Sequence, residues 1–232
     1  MRVGVPSSLS QLSMSLAVFS LNWLLPRVGG EAGVAVFTSG WRIVTIGTIP
    51  LLGLAAGVIA TVAAAYGSGA PGKLRQAYLY AVRFGLLVEL GVAGAVAILA
   101  PWLALLFTYW AGSTELRPDL VAFLRWMTVF LPTVPLGMLT SALFNGMGKG
   151  ERALVLTGLR TLVLQVLGAY GMAVWGNLGL SGVWWGIVAG NVLAGLLAFA
   201  WGWRTVDRLA GQLPRKSAAA LRRRRRPGRS QT

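Results

Sequence analysis

Of the 232 residues, 56% are hydrophobic and 12% charged, with a mean hydropathy of +0.68, whereas soluble globular domains run at about 45–50% apolar and about 25% charged. There is no Cys and no His, which excludes disulfides, Cys or His zinc sites, catalytic thiols and imidazole bases. The net charge is +15, but ten of the 21 basic residues and one of the six acids fall from Arg204 onward, so the tail carries +9 and the preceding 203 residues +6.

A transmembrane helix needs about 20 mostly apolar residues. Six such stretches can be drawn, at about 5–26, 34–66, 77–108, 120–146, 154–175 and 180–203, leaving 204–232 as a basic, disordered tail. The breaks are short and polar or glycine-rich, as in Gly67-Ser68-Gly69-Ala70-Pro71 and Gly146 to Arg152, the kind of loop that joins antiparallel neighbours. The expected fold class is an all-α membrane protein with six transmembrane helices and both termini on one side. Lys and Arg are retained on the cytoplasmic side. Arg2, Lys73, Arg75, Lys149 and Arg152 lie on the side of the termini, against Arg27 and Arg117 opposite, so both termini are expected to be cytoplasmic.

In the first helix Ser8, Gln11, Ser15 and Asn22 fall within about 60° of one face. A polar stripe in lipid must face protein or water, so it either lines a cavity or makes hydrogen bonds between helices. In the second, Thr38, Arg42 and Thr45 share a face, followed by Pro50 and by Gly53 and Gly57. Proline bends the helix, the spaced glycines admit a neighbouring backbone, and Arg42 either snorkels to the interface or enters a cavity. The third helix holds Glu89, a costly intramembrane carboxyl and so a functional candidate by default. Arg160 of the fifth helix lies at a similar depth, and an ion pair between the two is the favoured expectation, with proton carriage by Glu89 as the alternative.

The fourth helix contains Pro132-Thr133-Val134-Pro135, so its middle is expected to be kinked or unwound, with freed carbonyls needing partners. Such breaks occur at transporter substrate sites and also as packing kinks. In the sixth helix Gly182, Gly186 and Gly190 form a ridge suited to close helix contact. The run Gly146-Met147-Gly148-Lys149-Gly150 is no phosphate loop, because Leu143 and Gly150 stand where that motif needs Gly and Ser or Thr. No catalytic constellation is present, and the chain reads as a non-enzyme. The Arg222, Arg223, Arg224, Arg225 and Arg226 run reads as a tail that holds anionic lipid and fixes topology, in preference to nucleic acid.

Val5-Pro6-Ser7-Ser8-Leu9-Ser10-Gln11, Gly40-Trp41-Arg42-Ile43-Val44, Ile49-Pro50-Leu51-Leu52-Gly53, Ala64-Ala65-Tyr66-Gly67-Ser68-Gly69 and Phe144-Asn145-Gly146-Met147-Gly148-Lys149-Gly150, taken in order, resemble the multidrug and toxic compound extrusion (MATE) family. The chain is similar to that family's carboxy-terminal half over residues 1 to about 205. The resemblance implies one six-helix lobe of a two-lobe antiporter in the prokaryotic inner (plasma) membrane, exporting amphipathic cations in exchange for Na⁺ or H⁺ with no bound cofactor or metal. It implies as partner the amino-terminal lobe or a second copy of the chain. The family's central cavity maps onto Gln11, Ser15, Asn22, Arg42, Thr45, Pro50, Pro132 and Pro135. The carboxylates that some branches carry in the helices matching 5–26 and 120–146 are not present, which places the ion site in the other lobe.

Overall fold

The structure, a computed structural model, describes the backbone of residues 4–110 and 114–224, and the side chains among them except those of Trp110 and residues 212–224. Among the described residues the chain is almost wholly helical: α1 (Gly4–Gly47), α2 (Ile49–Gly67), α3 (Pro71–Trp110), α4 (Arg117–Phe130), α5 (Val134–Gly146), α6 (Gly150–Trp175) and α7 (Gly179–Arg224). Six stretches are long and apolar enough to cross a membrane, and within lipid a helix meets its backbone hydrogen-bonding need internally.

The breaks differ from those expected. Gly30, at φ 60° and ψ −161°, folds α1 back on itself, a conformation open to residues without a Cβ. The loop expected over 27–33 therefore shrinks to one residue, and Glu31 is helical. The single helix expected over 34–66 is divided at Thr48, with Pro50 in the first turn of α2. Proline lacks an N–H and fits a helix start better than its middle, so the bend expected at Pro50 falls at Thr48 and Pro50 begins the next helix. Gly53 and Gly57 are exposed with nothing within 4 Å of a Cβ there among the described residues, so no helix of this lobe makes the close approach at them. The helix expected to end near 203 runs on as backbone helix to Arg224. Arg222, Arg223 and Arg224 are described as backbone only, and Arg225 and Arg226 lie outside the described residues.

The run Gly146 to Gly150 is a helix stop. Gly148 has φ 71°, Lys149 N–H donates to Phe144 O at 2.8 Å and Gly148 N–H to Asn145 O at 2.9 Å, the paired bonds of a Schellman turn. Ala70 to Ala65 and Gly69 to Tyr66 repeat the arrangement after α2.

α7 is central, packing against α3, α4, α5 and α6, while α5 lies between α3 and α6. The glycine ridge of α7 is where it meets α6 backbone to backbone. A Cβ on Gly182 would lie 2.7 Å from Met172 C, and Cβ atoms on Gly186 and Gly190 would collide with the backbones of Ala169 and Leu164. Two apolar clusters fill the interior. Towards the Gly30 end, Trp184 stacks on Phe37 at 6.0 Å and meets Phe123 edge-on at 4.7 Å, with Gly40 leaving room for Phe123. Towards the other end, the buried Tyr78 hydroxyl and Thr140 Oγ1 are 2.8 Å apart.

Candidate functional site

The fold-back at Gly30 sets the two halves of α1 side by side, and between them runs an open groove of about 460 Å³. Asn22 and Val18 line it from the first half, and Thr38, Trp41, Arg42 and Thr45 from the second. Thr38, Arg42 and Thr45 are exposed and Asn22 is half-buried. Their helical register explains the grouping: positions 38, 42 and 45 share a face, Ile43 and Val44 turn away from it into the core, and the buried Phe37 both joins the core and lines the groove. Asn22 donates to Val18 O of its own helix at 3.0 Å, and Thr45 to Trp41 O at 2.8 Å, so among the described residues these side chains bond within their own helices. A second cleft continues the groove around Thr38 and Arg42 to Pro26 and Glu31.

Gln11 and Ser15 are exposed on the same helix as Asn22, and Gln11 lies about 16 Å further along its axis at 1.5 Å per residue. Pro50 is exposed at the start of α2. Pro132 and Pro135 are not on the groove. Pro132 lies within a 3-10 turn at Leu131–Thr133 in the interior and Pro135 in the first turn of α5 just after it, half-buried and buried respectively. Because neither proline can donate, the helix ladder is interrupted there, and side chains take over. Asn191 Nδ2 donates to Thr133 Oγ1 at 2.7 Å and to Phe130 O at 3.4 Å, Thr133 Oγ1 donates to Phe130 O at 2.7 Å, and Gln165 Nε2 donates to Asn191 Oδ1 at 3.1 Å. This buried chain ties α6 and α7 to the break between α4 and α5. Sequence reasoning missed Asn191 and Gln165, although an amide in an apolar run opposite a double-proline break is a signal for it. Gln165 lies in a π-helical stretch of α6, Leu159–Leu167.

The expected ion pair is not formed. Glu89 is fully buried and neither carboxylate oxygen has a hydrogen-bond partner. The one ion pair among the described residues is Arg75 to Asp207. Equal depth did not bring Glu89 and Arg160 together because α5 stands between α3 and α6. Arg160 lies against that helix, its Nη1 3.4 Å from where a Cβ on Gly137 would be.

A lobe of six membrane-spanning stretches, broken at a glycine fold-back and a double-proline turn and carrying an open, mostly apolar groove in which Asn22, Thr38, Arg42 and Thr45 supply the polar groups, is built like one repeat of a secondary transporter. The MatE family profile matches residues 6–171. Solved structures agree. One described as MATE in complex with MaL6 is 48% identical, with a TM-score of 0.88 over 90% of this chain and 47% of that one. An outward-facing multidrug resistance MATE family transporter of the MOP superfamily is 48% identical, with a TM-score of 0.87 over 90% of this chain and 46% of the other. A MOP superfamily transporter from Pyrococcus furiosus Vc1, described as having a reverse polarity of binding pocket that suggests a different function, matches at 48% identity and a TM-score of 0.87 over 90% and 46%. No curated protein matches. The chain belongs to the MATE family, as a six-span lobe covering about half the length of the structures it matches.

Proposed function

We propose that this chain is the carboxy-terminal lobe of a MATE-type antiporter in the prokaryotic inner membrane, with both termini cytoplasmic, that exports amphipathic compounds in exchange for Na⁺ or H⁺. The groove between the halves of α1 carries the reading. Asn22, Thr38, Arg42 and Thr45 turn polar groups away from the lobe's own core, onto a face that a second lobe would close into a central cavity. Gln11 and Ser15 extend that face, and the bends at Gly30 and Thr48 supply places for it to rock. Glu89 is the sole acid well inside the spans and would serve as the proton carrier if H⁺ is the coupling ion. The Arg222 to Arg226 run would hold anionic lipid beside the membrane.

Arg42 favours a second reading of the substrate. A guanidinium in the groove, with Glu31 in the adjoining cleft, suits a compound bearing an anionic or zwitterionic group better than a simple cation.

The test is to exchange this chain for the matching half of a 48% identical MATE structure and reconstitute the hybrid in vesicles. Export of ethidium driven by an imposed H⁺ or Na⁺ gradient, reduced by Arg42→Gln and Asn22→Ala, is the expected result. Ethidium excluded by the hybrid but a lipophilic anion carried supports the second substrate reading. A hybrid that is folded yet moves neither overturns the transport role.

A further inference from the structure

At the end of the lobe opposite Gly30, the turn between α5 and α6 approaches the last part of α7, and a cleft of about 540 Å³ opens between them. Lys149 and Arg152 line it from one side, Arg204 and Arg208 from the other, with Trp201 and Leu197 forming its apolar wall. We propose that this cleft is a binding site for the phosphate headgroup of an anionic phospholipid, separate from the Arg222 to Arg226 run.

Charge is the first argument. All six acids of the chain lie within the described residues, and none lines the cleft. Asp207, next in sequence to Arg208, is bonded instead to Arg75 Nε at 2.6 Å, and Glu151 is exposed outside the lining. Four cations from segments about fifty residues apart are thus gathered without a protein counter-charge. Like charges so placed repel, and a phosphodiester is the counter-ion that chemistry calls for, since Arg and Lys both recognise phosphate.

Anchoring is the second. Lys149 Nζ lies 5.6 Å from the ring centre of Tyr66 and the Arg152 guanidinium 5.9 Å from that of Phe144, while Trp201 packs on Phe144 at 5.3 Å. Basic side chains held over aromatic rings just past the end of an apolar span sit at headgroup depth. The third argument distinguishes lipid from free phosphate. The cleft's wall descends along Leu197 and Trp201, both exposed, onto the apolar outer face of α7, where the glycerol and first acyl carbons of a lipid would lie and a free ion would have no use for them.

Native mass spectrometry of the full chain in detergent, offered phosphatidylglycerol and phosphatidylcholine together, tests the site. The expected result is preferential retention of phosphatidylglycerol, falling about tenfold when Arg152→Gln, Arg204→Gln and Arg208→Gln are combined and persisting when Arg222 to Arg226 are all changed to Gln. Retention unaffected by the triple change, or lost with the tail change alone, overturns the proposal. So does displacement of the lipid by inorganic phosphate at equal concentration, which would make this a free-anion site. Should the triple variant fail to fold, a photoactivatable phosphatidylglycerol added to the unaltered chain decides the matter. Crosslinks within 197–209 and 149–152 support the site, and crosslinks confined elsewhere overturn it.

Discussion

In the apolar core stretch of Thr114–Gly146, 67% of residues are buried within the lobe, against 22% in that of Gly4–Gly47. Both regions carry helix breaks and polar side chains, yet they place them oppositely. Around Pro132 and Pro135 the polar groups point inward and find one another, so that Thr133 and Asn191 meet the Phe130 carbonyl at the break and Gln165 holds Asn191. Around Gly30 the polar groups point outward, and Asn22 and Thr45 bond only to their own helices. A break whose partners are internal holds the lobe together. A break whose partners are not in the lobe leaves a surface for something else to meet.

The contrast is broken most forcefully at the α6–α7 contact. Gly186→Leu would drive a side chain into the Ala169 backbone, and overpacking costs about 1–3 kcal/mol where side chains can shift, more where backbone is the obstacle. We expect loss of the monodisperse folded protein by size-exclusion chromatography, while Gly53→Leu and Gly57→Leu, in open space, leave the profile unchanged. Next comes the buried amide chain. Asn191→Leu leaves the buried Gln165 amide without its acceptor, although Thr133 still donates to the Phe130 carbonyl, and should destabilise by about 1–3 kcal/mol, read as a lower Tm. Adding Gln165→Leu should recover part of the loss, because removing both partners of a hydrogen bond costs less than removing one. An Asn191→Leu variant as stable as the parent would mean that the proline break needs no side-chain partner.

Glu89 sharpens the comparison from the other direction. It lies in the interior but behaves like the groove, with both oxygens unpartnered. Burial of a polar group without a partner costs free energy, so Glu89→Leu should raise stability by about 1 kcal/mol, seen as a higher Tm. A fall in Tm would show that the carboxyl has a stabilising partner. On the groove itself, Arg42→Gln and Asn22→Ala should change stability by less than about 0.5 kcal/mol and show their effect in transport by the hybrid.

The spans were legible because lipid imposes one simple demand, a long apolar run, and each run is visible in composition. The Gly182, Gly186 and Gly190 ridge was legible for a similar reason, since regular spacing on one helix implies one face. What the sequence hid depends on which helix neighbours which. Glu89 and Arg160 match in depth and charge, but depth along an axis carries no information about the helix standing between them. Asn191 and Gln165 read as isolated polar residues until the proline turn is placed opposite. The breaks at Gly30 and beside Pro50 were legible, but their form was not, for a local reason: proline is at ease in a first helical turn, so the bend falls just before it at Thr48, and a fold-back at positive φ suits glycine, so the first loop closes to Gly30 alone. In the groove, Arg42 and Thr45 were visible as one helical face, but their meeting with Asn22 across the fold-back was not.

The smallest effect expected is at the ion pair between Arg75, in the first turns of α3, and Asp207 on the far part of α7. The contact is short, 2.6 Å, but the side chains are 39% and 43% exposed, and a solvated pair gains little because water already screens each charge. Asp207→Asn should therefore leave Tm unmoved, while backbone amides of 204–211 exchange faster, since the pair joins the last part of α7 to α3. The exchange difference should shrink with added salt in the parent. A drop in Tm that salt does not alter would mean instead that this part of α7 is cooperative with the interior, and would move it from the outward-facing region of the comparison to the self-satisfied one.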